Sequence, residues 1–151
     1  MRMMTVCAVL ALLAAPAVSQ SCNLAVTGSL MPGDTLSIQV TDSIPNAPTL
    51  LAVGETLGST NFNFGPLGGF TIDLAEPFII LPLGLTDANG DTGIAFSVPA
   101  NAPTPPSLPS LTLHLQAVTI DLGFGITMPP MVPPMPSVLN TCVSNLVTFT
   151  L

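Results

Sequence analysis

The stretch LTLHLQAVTIDL, Leu111–Leu122, decides the fold class of this chain. Apolar and polar residues alternate along it, and a period of two is typical of a β-strand with one face in a core. The apolar residues of its first half share one face: Leu111, Leu113, Leu115 and Ala117. Those of its second half have the opposite parity: Val118, Ile120 and Leu122. This change predicts a β-bulge near Ala117, or a strand that passes from one sheet to another.

Shorter alternating stretches lie on both sides of this one, separated by Pro, Gly and Asp turns. Their apolar positions are Leu24 and Val26; Leu36, Ile38 and Val40; Phe70, Ile72 and Leu74; Ile94, Phe96 and Val98; and Val147, Phe149 and Leu151. Thr49–Val53 predicts a short buried strand, and Phe78–Leu81 predicts a central strand buried on both faces or covered by a loop. Glu55–Gly69 is predicted to be a long loop.

About eight strands without a helical period predict an all-β domain. The expected architecture is a two-sheet antiparallel β-sandwich of immunoglobulin-like or related topology.

The basic residues of the chain are confined to its N-terminus. Arg2 is the only Lys or Arg, against eight Asp and Glu. It precedes the apolar run Val6–Val18, and Ala17-Val18-Ser19 forms a small-x-small cleavage site before Gln20. This pattern predicts a signal peptide over residues 1–19 and a secreted, extracellular or cell-surface β-sandwich domain over residues 20–151.

The charge balance restricts the partners of the exported domain. Nucleic acids and anionic lipids are held mainly by Lys and Arg, so neither is expected to bind. The longest apolar stretch after cleavage, Phe78–Leu85, is far shorter than the roughly 20 residues of a membrane-spanning helix. The expected partners are an extracellular or cell-surface protein, a matrix component, or a second copy of the chain. Mutual repulsion among acids without basic partners predicts slightly raised carboxyl pKa values and a fold that persists in acid.

Two cysteines remain after the predicted cleavage, Cys22 and Cys142, near the two ends of the exported chain. Cysteine pairs of exported proteins are normally oxidised, so the sequence predicts a disulfide between them. In the chain-entropy model a crosslink over so long a loop stabilises the fold by up to about 5 kcal/mol.

Several turn and strand phrases also carry a family resemblance. They are Pro32–Leu36, Pro45–Pro48, Leu81–Gly90, Gln116–Val118 and Ser144–Val147. Over most of residues 26–151 the chain resembles an uncharacterised β-sandwich module found at the C-terminal ends of secreted and surface proteins of environmental bacteria. The resemblance implies a fold and export, and no activity is attached to it.

The segment Asp87-Ala88-Asn89-Gly90-Asp91 matches the first half of a calcium-binding loop. Oxygen ligands from Asp87, Asn89 and Asp91 would suit this hard cation, and calcium is the one cofactor that the sequence suggests. The second half of the loop motif is missing, because Thr92 and Val98 replace its Gly and bidentate Glu. The alternative is a plain hairpin turn, for which Asn-Gly is a strong signal.

No catalytic residue is predicted. Asp91-Thr92-Gly93 spells an aspartic-protease triplet in a single copy, whereas that chemistry needs two carboxylates. His114 is expected on an exposed polar strand face, and the sequence has no G-x-S-x-G elbow. Soft thioethers at Met128, Met131 and Met135 could hold Cu(I). The favoured function is an exported, non-catalytic structural or adhesive element, with a calcium-dependent binding module or a small secreted hydrolase as alternatives.

Overall fold

The computed structural model describes residues 20–102, 111–121 and 139–150. These residues form ten strands and one 3₁₀ helix, in the order β1 Gln20–Thr27, β2 Thr35–Thr41, β3 Pro48–Gly54, β4 Leu57–Asn63, the 3₁₀ helix Gly65–Leu67, β5 Gly69–Leu74, β6 Phe78–Leu85, β7 Thr92–Ser97, β8 Thr112–Asp121, β9 Asn140–Ser144 and β10 Val147–Thr150. The all-β prediction is confirmed. The predicted signal peptide lies outside the described residues, and none of the described residues forms a helix long and apolar enough to span a membrane.

Eight of the strands form one sheet in the order β6-β3-β8-β9-β1-β2-β7, with β10 also paired to β8. This sheet curls into a nearly barrel-like shape, and β4 and β5 form a separate two-stranded sheet. The expectation of purely antiparallel pairing is wrong at β1, because Gln20–Cys22 run parallel to β9. The reason is that β1 pairs with two different strands: its first residues run parallel to β9, and Asn23–Thr27 pair antiparallel with β2.

Strand β8 contains no bulge. Its pairing with β3 runs without a shift from His114 to Thr119. The irregularity lies beside β8, between β9 and β10. Val118 pairs with Val143 of β9, and Leu115 pairs with Val147 of β10. Three steps along β8 therefore match four steps along β9 and β10, so that one extra residue is accommodated between those two strands.

The change of parity in β8 reflects two cores, one on each face of the sheet. The inner core lies inside the curled sheet and contains Cys22, Leu24, Ile38, Val40, Leu51, Leu115, Ala117 and Cys142. The outer core lies between the opposite face and the β4–β5 hairpin, and contains Ala52, Ile72, Leu74 and Val118. The centre of β8 is consequently buried on both faces.

The β4–β5 hairpin replaces most of the predicted Glu55–Gly69 loop. Phe62 of β4 stacks on Phe70 of β5 with ring centroids 4.9 Å apart, and contacts Phe78 edge-on. Strand β4 has only two apolar side chains, Leu57 and Phe62, which are five positions apart, so it lacks the alternation that predicts a strand. Burial of these rings against the sheet fixes the hairpin despite the low strand propensity of its other residues.

Strand β6 is at the edge of the sheet and not at its centre. Among the described strands it pairs only with β3, and most of its residues are exposed. Pro82 explains why the prediction from Phe78–Leu81 is wrong: a residue without a backbone N–H is tolerated in edge strands and not in central ones.

The structure brings Cys22 and Cys142 together on the adjacent strands β1 and β9. Their Cα atoms are 5.8 Å apart, at a disulfide-bonded separation. Both side chains are buried in the inner core. The pair therefore connects the two ends of the described chain through the centre of the molecule.

Reduction of this pair should destabilise residues 20–151 by about 2–5 kcal/mol, since the crosslink restricts the unfolded chain. Urea unfolding with and without a thiol reductant measures the difference. The Cys22→Ala, Cys142→Ala double variant should show the lower stability in both conditions. An intact mass in which both thiols remain free in the native protein would contradict the disulfide.

Candidate functional site

The acidic segment between β6 and β7 forms a tight turn. Asp87 Oδ1 accepts hydrogen bonds from the backbone N–H groups of Asn89 (2.7 Å) and Asp91 (2.9 Å). The Gly90 N–H donates to the Asp87 carbonyl at 3.1 Å, and the Asp87 N–H donates to the Asp91 carbonyl at 2.8 Å. The turn predicted from Asn-Gly is present, but the hairpin is not, because β6 continues beside β3 and β7 beside β2.

This turn is held against the loop between β2 and β3. The Ser43 N–H donates to the Gly90 carbonyl at 3.1 Å, and the Asp42 N–H donates to Asp91 Oδ1 at 3.3 Å. Gly90 has φ +87°, and a Cβ atom there would overlap the Ser43 carbonyl oxygen. Glycine is required at this position for both reasons.

The same backbone N–H groups shift the pKa of the Asp87 carboxyl. Those of Asp91 and Asn89 hold the pKa of the Asp87 carboxyl below its usual value near 3.8, because they stabilise the charged form. The expectation of raised carboxyl pKa values is wrong at this residue. Hydrogen bonding to the backbone outweighs the repulsion expected from the acidic composition.

The turn residues are also the predicted calcium ligands. Asp87 and Asp91 each accept a hydrogen bond from a backbone N–H through a carboxylate oxygen. These hydrogen bonds explain the two acids as residues that stabilise the turn. Within the described ranges, no group of three or more His, Cys, Asp or Glu side chains is arranged to hold a metal ion. The calcium interpretation stays a prediction. The three methionines considered for copper lie outside the described residues.

His114 is half-buried on β8, where an exposed position was expected, and it contacts one hydroxyl group. Its Nδ1 lies 3.0 Å from Thr148 Oγ1 on the neighbouring strand β10. Asp91 lies in the turn between β6 and β7, where its carboxylate accepts a hydrogen bond from the Asp42 N–H. The contacts of these two residues are therefore explained by the strands and the turn that hold them.

The face of β8 that was expected to be exposed carries a buried polar network. Gln116 is 2% exposed, because the β4–β5 hairpin covers it. Its Oε1 accepts from the Asp73 N–H at 2.7 Å, and its Nε2 donates to Asp73 Oδ2 at 3.2 Å and to the Ser144 carbonyl at 3.0 Å. Gln116 thereby joins β5 of the hairpin to β8 and β9.

The last residue of β9 and the residue after it complete this network. Ser144 Oγ accepts from the Ala117 N–H and donates to the Asn145 carbonyl, both at 2.8 Å. The Asn145 amide accepts from the Leu24 N–H at 2.7 Å and donates to the Leu24 carbonyl at 3.1 Å. Side chains thus supply the hydrogen bonds that the irregular pairing would leave unmade. Composition offered no signal for this network, since its partners are distant in sequence.

An apolar cavity of about 310 Å³ lies between the hairpin and the sheet. Its lining is entirely apolar: Leu50, Ala52, Phe62, Phe64, Phe70, Ile72, Ile80, Val118 and Ile120. It is continuous with the outer core, because its walls are the side chains of that core and of its rim.

A second apolar surface lies along β6 and β7, the two end strands of the curled sheet, which approach each other without pairing, and we call the region where they meet the seam. Ile79 and Leu81 of β6 face Val53 and Leu51 of β3 in register. Cross-strand partners share a face, so these side chains point to the inner-core side. On β7, Ile94 and Phe96 likewise face the buried residues Ile38 and Leu36 of β2.

The inward-facing side chains of the seam remain exposed to solvent. The exposed fractions are 60% for Ile79, 43% for Leu81, 36% for Ile94 and 45% for Phe96. Neither β6 nor β7 contains a charged residue. Natural edge strands usually carry charges that discourage further pairing, and these two do not.

Comparisons with protein-family models, curated proteins and solved structures find no match to this chain. The resemblance to the bacterial surface module therefore stays a prediction.

The lowered pKa of Asp87 gives stability a defined pH dependence. The carboxylate contributes stability that is complete above its unfolded-state pKa near 3.8 and is lost as the pH falls through its lower folded-state pKa. Urea unfolding between neutral pH and about pH 2 should show this loss. Asp87→Asn, which keeps an acceptor oxygen but does not titrate, should flatten the acid part of the profile. An unchanged acid profile in this variant would show that Asp87 does not contribute.

The buried network predicts a second effect on stability. Gln116→Leu should lower the free energy of unfolding by about 1–3 kcal/mol, because the buried Ser144 carbonyl loses its side-chain donor and the part-buried Asp73 N–H loses its acceptor. Chemical denaturation measures the loss. Gln39→Leu, at an exposed position of β2, is the matched control and should change stability by less than about 0.5 kcal/mol. Equal effects of the two substitutions would count against the network.

Proposed function

We propose that the chain is an exported, non-catalytic structural or adhesive domain of the cell surface or extracellular matrix. The observation that carries the proposal is the seam, where four large apolar side chains on two uncharged edge strands are exposed to solvent. Clustered exposed apolar residues commonly indicate a protein interaction surface. The expected partner is an extracellular protein or a matrix component.

The use of the buried polar groups supports a structural role. Among the described residues, every buried side-chain nitrogen or oxygen has a hydrogen-bond partner. Thr119 Oγ1, for example, accepts from Ser43 Oγ at 2.6 Å and lies 2.9 Å from Thr49 Oγ1. Such networks fix loops and strands to one another, which suits a rigid domain that presents a surface.

The architecture that we propose is an immunoglobulin-like sandwich. One layer would be β6, β3, β8 and the β9–β10 strand, and the other would be β1, β2 and β7, with the inner core between them. The passage of β1 between the layers supports this assignment, since strands that switch sheets connect the layers of sandwiches. Many cell-surface domains share the sandwich architecture.

Export is supported by the sequence and by the cysteines. The N-terminal segment has the pattern of a signal peptide, and disulfides persist in oxidising compartments. The acidic exported chain would also remain soluble outside the cell until it met its partner.

The proposal predicts that purified residues 20–151 bind to extracellular matrix or envelope material from the source organism. The Ile79→Ser, Phe96→Ser double variant should lose at least about tenfold in affinity, because one apolar side chain is removed from each edge strand of the seam. Co-sedimentation with the envelope fraction measures the binding.

The matched control is Leu57→Ser, Leu67→Ser, which removes two exposed apolar side chains of the β4–β5 hairpin, outside the seam strands, and should bind as the parent does. Circular dichroism establishes that all variants are folded. Failure of the parent protein to bind, or equal binding by the seam variant, would contradict the proposal.

A further inference from the structure

We infer that the seam binds an extended segment of a different protein as an added β-strand, and that this segment has apolar residues at alternate positions between Lys or Arg flanks. The inference rests on the proposed function and specifies the partner. Three properties of the seam define the occupant: its backbone edges, its inward side chains and the charge around it.

The backbone of the seam favours a strand. Among the described strands, β6 pairs only with β3 and β7 pairs only with β2. Each therefore presents an outer row of N–H and C=O groups, for which an added strand supplies partners. On β6 the uninterrupted donor stretch is Phe78–Leu81, because Pro82 has no N–H. An added strand would meet about four residues of this edge before the interruption.

The side chains of the seam define the pattern of that strand. Ile79 and Leu81 are two positions apart on one edge, and Ile94 and Phe96 are two positions apart on the other. Alternate residues of a strand point to the same face. An occupant with apolar residues at i and i+2 would pack them between these four side chains and onto the inner core.

Charge distinguishes the occupant from a second copy of this chain. The exported chain carries eight acids and no Lys or Arg, so two copies repel each other and a basic segment is attracted. Because β6 and β7 contain no charged residue, the basic groups belong on the flanks of the segment and not in its middle. The partner is thus a different protein with a basic-flanked, alternating segment.

The test uses a fluorescent peptide of eight alternating valines and threonines with two lysines at each end, added to purified residues 20–151. Fluorescence anisotropy should show saturable binding that weakens with added salt, and hydrogen exchange should show new protection of β6 and β7 amides. Ile79→Thr, Phe96→Thr should weaken binding at least about tenfold, whereas Met31→Thr should not. A peptide with N-methyl groups on alternate amides, or with glutamate flanks, should bind much more weakly.

Several results would overturn the inference: no peptide binding, equal binding of the N-methylated or glutamate-flanked peptide, or protection of the outer amides of β6 and β7 before peptide is added. A concentration-dependent dimer abolished by the seam substitutions would assign the surface to a second copy and would also overturn it. If the seam variant loses envelope binding but the peptide does not bind, adhesion through the seam stands and strand addition falls. If the peptide binds but the seam substitutions leave binding to the envelope fraction unchanged, the seam accepts an added strand and the proposed adhesive function is contradicted.

Discussion

Burial of β8 on both faces is the constraint on which the rest of the structure depends. The inner core covers one side of this strand and the β4–β5 hairpin covers the other. Water therefore cannot supply hydrogen bonds to the polar groups at its centre. Gln116 and Thr119 must therefore find partners within the protein, and they do so in β5, β9 and the loop before β3. The irregular pairing beside β8 is acceptable because Ser144 and Asn145 make up the lost hydrogen bonds.

The sequence pattern predicts which residues point together, but not what covers them. Alternation correctly indicates β2 and β5, whose inward residues Ile38 and Ile72 are buried. The same alternation is equally regular in β7, where Ile94 and Phe96 are exposed. The difference lies in the order of strands, which places β7 at the end of the sheet. Strand order depends on contacts between distant residues, and the period of two is a local property that cannot report it.

The candidate sites differ in how far the sequence predicts them. The Asp87–Asp91 turn is local, so the Asn-Gly pair indicates it correctly, including the need for Gly90. The seam and the Gln116 network are long-range. For Gln116, its position opposite Leu115 on an alternating strand predicts exposure, and only the hairpin, whose strand β4 has a weak pattern, reverses that. A polar residue on a strand thus cannot be assigned to solvent until both layers beside it are known.

The link between Cys22 and Cys142 also determines how the domain would carry mechanical load. If tension were applied at residues before Cys22 and after Cys142, the covalent link would transmit it from β1 to β9, and the residues between the two cysteines would be shielded. Strand β10 lies beyond Cys142, so its pairing with β8 would be lost first, residue by residue. Extension would then stop at the crosslink, and the inner core would lose Val147 and Phe149, which pack against it, but keep its buried members. A domain built in this way would lengthen under force by the residues beyond Cys142 and then hold, with β6 and β7 unchanged.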